Sequence, residues 1–216
     1  MQKVVKGFNR AYSQDFTYRN EHHGDTVAPL SGAGLEAMPF DKPDMGELHT
    51  VLEDGDLKVE VLAVDHSPVE PAVGYRFTYK GRSLLITGDT LKLANIEQFA
   101  KGVDLLVHEA LAPNLVNMMN ATAKKLDNQI MAKITYDILD YHASPVEAAE
   151  TARAAEVGHL LYYHIVPPLV IPGQKTLFLN GAEDIFPDYT IGEDGVSFSL
   201  PAGSDEIIKT SDGLRR

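Results

Sequence analysis

This sequence predicts an α/β layered domain built on one sheet. Two observations carry the prediction. Residues 57–87 hold strand-like alternation broken by a two-residue turn, and beyond residue 88 short apolar runs alternate with helical stripes. Antiparallel strands come first, then strands separated by helices.

The elements follow in order. Residues 2 to about 14 read as a short amphipathic helix, since Val4, Val5, Phe8 and Tyr12 fall at helical spacing. Residues 15–47 are polar, with scattered Gly and Pro, and read as a long loop or arm with room for one short strand. Residues 57–64, L-K-V-E-V-L-A-V, alternate as a half-buried strand. Residues 73–79 form a second strand, and Lys80-Gly81 turns the chain tightly into 82–87. Residues 91–100 make a short helix, and 104–107, D-L-L-V, a buried strand. Across 113–139, Leu115, Met118, Met119, Ala123, Leu126, Ile130 and Ile134 lie near one stripe, as one long helix or two broken ones. Ser144-Pro145-Val146-Glu147 has the form of a capping box with proline at the first helical position, opening a helix through Ala155. Gly158 ends that helix. Residues 159–163 are the next strand, and Pro167-Pro168 blocks its continuation. A helix over 174–185 and short strands at 188–191 and 196–199 complete one domain over 1–200. A flexible polar tail fills 201–216.

Composition narrows the function. The net charge of −12 argues against the broad basic footprint of a nucleic-acid binder and against anionic membranes. With no cysteine, disulfides, thiolate ligands and cysteine nucleophiles are excluded, so any metal is held by His, Asp or Glu. No apolar run approaches the ~20 residues of a membrane span. The N-terminus, M-Q-K-V-V-K-G-F, lacks the apolar stretch of a signal peptide. The expected compartment is the cytoplasm for the chain as it stands, or the periplasm or exterior if a leader once preceded it.

Candidate chemistry sits where elements end. His66 follows an alternating strand, Asp89 follows the apolar run L-L-I-T-G, and His164 closes H-L-L-Y-Y. Taken singly, each is equally a loop histidine, a turn aspartate or a satisfied core histidine. Taken together, three strand ends of one sheet bearing ligand types make an active-site rim. Imidazoles with a bridging carboxylate suit zinc, with manganese or iron as alternatives. His108-Glu109 and His142 form a second set: a carboxylate that orients a histidine fixes its tautomer. His142 precedes the capping box, a rigid mount for a proton donor. His22-His23-Gly24-Asp25 reads as a solvated loop, because adjacent histidines diverge on strand or helix.

In this order, D-H-S-P-V-E-P-A-V-G-Y-R-F, T-G-D-T, K-G-V-D-L-L-V-H-E-A, Y-H-A-S and Y-H-I-V-P-P resemble the metallo-β-lactamase fold superfamily, in its ribonuclease Z and arylsulfatase-like branch. The resemblance covers residue 1 to about 200. It implies an αββα sandwich, of which this chain supplies mainly the C-terminal half: one mixed sheet with flanking helices. It implies one or two zinc ions, with His66 and Asp89 on one metal and Asp89 and His164 on the other. It implies catalytic roles for His142, Glu109 and His108, with Glu109 and His142 passing a proton to the leaving group. The implied reaction is hydrolysis of an ester, sulfate ester or phosphodiester by a metal-bound hydroxide. The H-x-H-x-D-H segment of the superfamily is missing from the sequence and would lie upstream of residue 1, so impaired catalysis is expected. A catalytically silent half-fold that acts as an oligomeric or binding protein is the alternative. Within the enzyme class, the acidic charge favours a small-molecule ester or sulfate over nucleic acid. A homodimer through the exposed sheet face is the expected assembly.

Overall fold

The computed structural model describes residues 1–210. The chain divides into two compact units, Met1–Asp41 and a second that begins at Lys42.

In the first unit, α1 (Gln2–His23) outruns the helix expected to end near residue 14. Phe16 extends the i, i+4 ladder of Phe8 and Tyr12, with successive ring centroids 4.7 and 6.4 Å apart. Gly24, at φ 72°, ends the helix. The chain then doubles back along it. Asn9 exchanges two hydrogen bonds with the Leu35 backbone, at 2.8 and 2.9 Å, and Asn20 Nδ2 donates to the Ala28 carbonyl at 3.0 Å. The expected arm over 15–47 is therefore helix in its first part and a pinned return after it.

The second unit is a seven-stranded sheet in the order β1 (Leu48–Asp54), β2 (Leu57–Ala63), β3 (Val73–Tyr79), β4 (Arg82–Ile86), β5 (Leu105–Leu111), β6 (His159–Val166) and β7 (Tyr189–Ile191). β1 to β4 pair antiparallel, and β4 to β7 pair parallel. Helices fill the parallel crossovers: α2 (Ala94–Phe99), then α3 (Pro113–Lys125), α4 (Gln129–Asp137) and α5 (Pro145–Ala154), then α6 (Gln174–Leu179) and α7 (Ala182–Ile185). The register sets Leu85 beside Leu106 and Leu106 beside Leu160. On these leucines rest Ile96 of α2, Ala148, Ala149 and Ala152 of α5, and Phe178 of α6, all in one buried cluster. The alanines bring α5 close to the sheet.

Two long stretches are broken where the backbone turns left-handed. Asp127, at φ 53°, separates α3 from α4, and Asn128 caps α4 by accepting from the Met131 amide at 3.1 Å. Asn180 and Gly181, both at positive φ, split the expected 174–185 helix into α6 and α7. The capping box forms as expected, with Ser144 Oγ accepting from the Glu147 amide at 3.2 Å and Glu147 Oε2 accepting from the Ser144 amide at 2.8 Å.

Part of the expected flexible tail is paired. β8 (Ser197–Ser199) and β9 (Ile208–Thr210) form a hairpin. Between them the chain is anchored on Arg82, which donates to the Pro201 and Ser204 carbonyls and pairs with Asp104 at 2.8 Å. Residues 211–216 of that tail lie outside the described residues. No described helix is long and apolar enough to cross a membrane.

The topology positions the site. β2, β4, β5 and β6 all run the same way, so their C-terminal ends share one sheet edge, the edge at which parallel sheets gather ligand-binding groups.

Candidate metal centre

Glu109 is the hub. It lies on β5, whose seven residues are all buried, and it is itself 0% exposed. Its Oε1 accepts three donors: the Thr90 amide at 3.1 Å, the Ala143 amide at 2.9 Å and His142 Nδ1 at 3.1 Å. The first joins the loop after β4, and the other two join the segment that opens α5. One carboxylate oxygen thus holds three chain segments in register. A buried carboxylate needs this donor supply, because desolvation without it is costly.

His142 is clamped by the same contact. It is only 7% exposed and sits two residues before the α5 cap. Its Nδ1–H donates to Glu109, which leaves Nε2 as the nitrogen free to hold or release a proton.

His164 and Asp89 make a looser pair, with His164 Nε2 and Asp89 Oδ2 at 3.4 Å and side chains 43% and 33% exposed. His164 reaches this position through a bulge. Pairing of β5 with β6 passes from Glu109–Tyr163 to Ala110–Ile165, skipping His164, whose φ is 42°. The strand was expected to end at Tyr163, but it runs on through Val166, with the bulge absorbed inside it.

His66 completes the cluster. Its ring centroid lies 5.1 Å from that of His142, and the His142 ring stacks on that of His164 at 5.7 Å. Tyr141 packs at 4.9 Å against both His66 and His142. Asp65 Oδ1 accepts from the Ser67 amide at 3.0 Å and fixes the loop, a bond that holds the Asp65 carboxyl below its ordinary range. The Asp65 carbonyl receives the Leu91 amide at 2.9 Å, tying the His66 loop to the Asp89 loop.

His66, Asp89, Glu109, His142 and His164 therefore gather at one edge. His108 stands apart. Its ring is wholly buried inside β5, not at a strand end, and Nδ1–H donates to the Glu109 carbonyl at 2.8 Å. Burial pushes its pKa down. Tyr163 borders the cluster, and burial together with the nearby Asp89 pushes its hydroxyl up to about 12.

The donor set fits a divalent metal. One ligand atom each from Glu109, His142 and His164 lie within 4.8 Å of one another. His66 Nε2 and Glu109 Oε2 are buried without a hydrogen-bond partner among the described residues. A buried imidazole nitrogen and a buried carboxylate oxygen without partners are groups that a metal satisfies. Sequence reasoning missed three members of this site: Tyr141 and the amides of Thr90 and Ala143. Thr90 was visible as the last residue of T-G-D-T, whereas backbone amides leave no residue-type signal.

An α/β sheet that gathers His, Asp and Glu side chains at one edge is the arrangement of a candidate metal-binding domain. Residues 11–165, more than two thirds of the chain, match the family model described as the beta-lactamase superfamily domain, and the chain belongs to that family. The ribonuclease Z of Mycobacterium sp. (strain KMS) is 32% identical over 193 residues, which is 89% of this chain and 60% of that protein. The ribonuclease Z of Mycobacterium tuberculosis (strain ATCC 25618 / H37Rv) is 33% identical over 173 residues, 80% of this chain and 56% of that protein. The chain thus spans about 60% of the length of these relatives. Among solved structures, the metallo-beta-lactamase fold protein YhfI from Bacillus subtilis aligns with TM-score 0.45 at 21% identity, covering 64% of this chain and 47% of that one. The short form of human tRNase Z aligns with TM-score 0.40 at 21% identity, covering 56% and 40%.

These relatives overturn one expectation. The acidic balance pointed to a small-molecule ester or sulfate and away from nucleic acid, yet the matching curated proteins are ribonucleases by name. The physical fault lies in using a whole-chain sum. A net charge of −12 does not report the field at one sheet edge, and it counts only the part of the relatives' length that this chain spans.

Proposed function

We propose that the chain is the metal-dependent phosphodiesterase part of an RNA-cleaving enzyme, and that its metal is zinc. The observation that carries this reading is Glu109 Oε1, buried, holding His142 beside the Asp89–His164 pair.

His66, Asp89 and His164 would hold the ion. A bound divalent ion supplies Lewis acidity at a phosphoryl oxygen and makes water a competent nucleophile near neutral pH. The remaining chemistry belongs to the chain. In hydrolysis a water oxygen bonds to phosphorus, the P–O bond to the ribose oxygen breaks, and that oxygen takes up a proton. His142 gives the proton from Nε2. Glu109 keeps Nδ1 protonated and supports the charged imidazolium that precedes the transfer. The α5 cap fixes where the donor stands.

Glu109 acts as a positioning group through Oε1, which is committed to three donors, and its buried Oε2 is the oxygen left without a partner among the described residues. With three ligands from this chain and no H-x-H-x-D-H segment in it, metal affinity is modest, well under two ions per dialysed chain. The test is reconstitution of chelator-treated protein with zinc or manganese. Bis(p-nitrophenyl) phosphate, p-nitrophenyl sulfate and transfer RNA would be offered in parallel. Metal-dependent cleavage of the phosphodiester and the RNA is expected. Cleavage of the sulfate ester alone, or of nothing at any metal concentration, sinks the proposal.

A further inference from the structure

The cleft does not stop at His164. A cavity of about 530 Å³ opens beside it, and Tyr163 and His164 line both cavity and metal centre. That volume lies within the roughly 300–1,000 Å³ range of small-ligand sites. Its walls are apolar, with Leu161 and Ile165 from β6, Leu169 after it and Ile191 from β7. Lys175, Glu193 and Asp194, all exposed, also line the cavity.

The far wall is fixed. The Gly192 amide donates to the Tyr162 carbonyl at 2.9 Å, and a Cβ at Gly192 would meet that carbonyl oxygen at 2.6 Å. The loop is therefore seated directly on β6. The Val196 amide closes a turn on the Glu193 carbonyl at 3.1 Å. Lys175 of α6 pairs with Glu193, tying helix to loop. That pair engages Glu193 and leaves Asp194 as the available exposed carboxylate of the lining.

Resting on the phosphodiesterase reading above, we propose that this cavity receives the nucleoside next to the phosphate under attack, and that Asp194 reads an amino group on its base. Apolar walls suit the faces of an unstacked base, the form in which single-stranded RNA is recognised. An ionised carboxylate only accepts hydrogen bonds. It matches the amino donor of cytosine, whereas uracil presents a carbonyl oxygen at the same position and sets acceptor against acceptor. The walls select for a base, and Asp194 selects among bases.

The test needs neither metal nor turnover. Cytidine and uridine 5′-monophosphate are titrated into isotopically labelled protein, and the amide signals of Gly192 and Asp194 are followed. The cytidine nucleotide should bind about tenfold more tightly, the order expected for one hydrogen bond to a charged acceptor. Asp194→Asn should bring the two affinities within about twofold, because an amide can both donate and accept. Leu169→Trp should fill the cavity and abolish binding of both. Equal affinities in the native chain, no binding of either nucleotide, or a preference that survives Asp194→Asn each overturn the proposal. The two readings fail separately: absence of metal-dependent cleavage of bis(p-nitrophenyl) phosphate strikes the phosphodiesterase alone, and the titration still decides the cavity.

Discussion

The site contains two carboxylate–histidine pairs of opposite character. Glu109 and His142 are 0% and 7% exposed, and the carboxylate is saturated on one oxygen by two amides and the imidazole. Asp89 and His164 are 33% and 43% exposed, and their closest atoms stand at 3.4 Å, beyond a good hydrogen bond. In the first pair the protein fills one carboxylate oxygen and one ring nitrogen, and the second pair is left with its valences open. Groups that orient are held by the fold, and groups that bind an outside partner are presented without one.

The sharpest way to break this comparison is to remove the proton carrier. His142→Ala should lower kcat by roughly 10²–10⁴-fold, the usual worth of a general acid, while metal content stays constant. Loss of metal in this variant would move His142 into the ligand set. Next comes the orienting group. Glu109→Gln keeps an oxygen for the Thr90 and Ala143 amides but removes the charge that supports imidazolium. A drop of about 10–100-fold with a shifted pH profile is expected. An unchanged pH profile would show that Glu109 holds structure only.

Two smaller effects sharpen the contrast from the stability side. Ser144→Ala should cost about 1 kcal/mol in chemical denaturation, the usual worth of a helix N-cap, and should loosen the His142 mount. His108 gives the smallest and most pH-specific effect. Burial lowers its folded pKa, so below about 6.5 the unfolded chain binds a proton that the folded chain does not. Its contribution to stability is full above that pH and is lost as pH falls toward the folded value. His108→Asn should therefore narrow the gap in urea midpoint between pH 7.5 and pH 5.5, and an unchanged gap would count against it.

Much of this was legible in the residues. The strand over 73–79, the Lys80-Gly81 turn and the Ser144–Glu147 box appear as read, because alternation and capping are local and act within a few residues. The five polar signatures that meet at the edge were legible through order and residue type. Elements lacking an apolar pattern were less so. The second half of α1 buries no residue, and apart from Phe16, which continues the spacing of Phe8 and Tyr12, its composition is that of a polar loop. β1 is an edge strand with only Leu48 and Val51 half-buried, and it shows no alternation worth the name. β9 is wholly exposed, and its pairing depends on β8 and on Arg82, far away in sequence. His108 was placed at a strand end because the apolar run D-L-L-V stops there. The strand continues because Glu109 finds its donors inside the fold. Long-range partners decide those cases, and a window of neighbours does not contain them.

The left-handed backbone of His164 has a consequence for how this chain can vary. A branched or bulky side chain is strained at φ 42°, while glycine, asparagine and aspartate accept that conformation. The fold and the chemistry therefore impose different alphabets on one position. In a saturation library sorted for folded protein, Gly, Asn and Asp at residue 164 should survive beside His. Sorted for bound metal, the same library should retain His and, of the other three, only Asp, whose carboxylate is an ordinary zinc ligand. Position 164 is where the requirement for folding and the requirement for function can be counted apart in a single experiment.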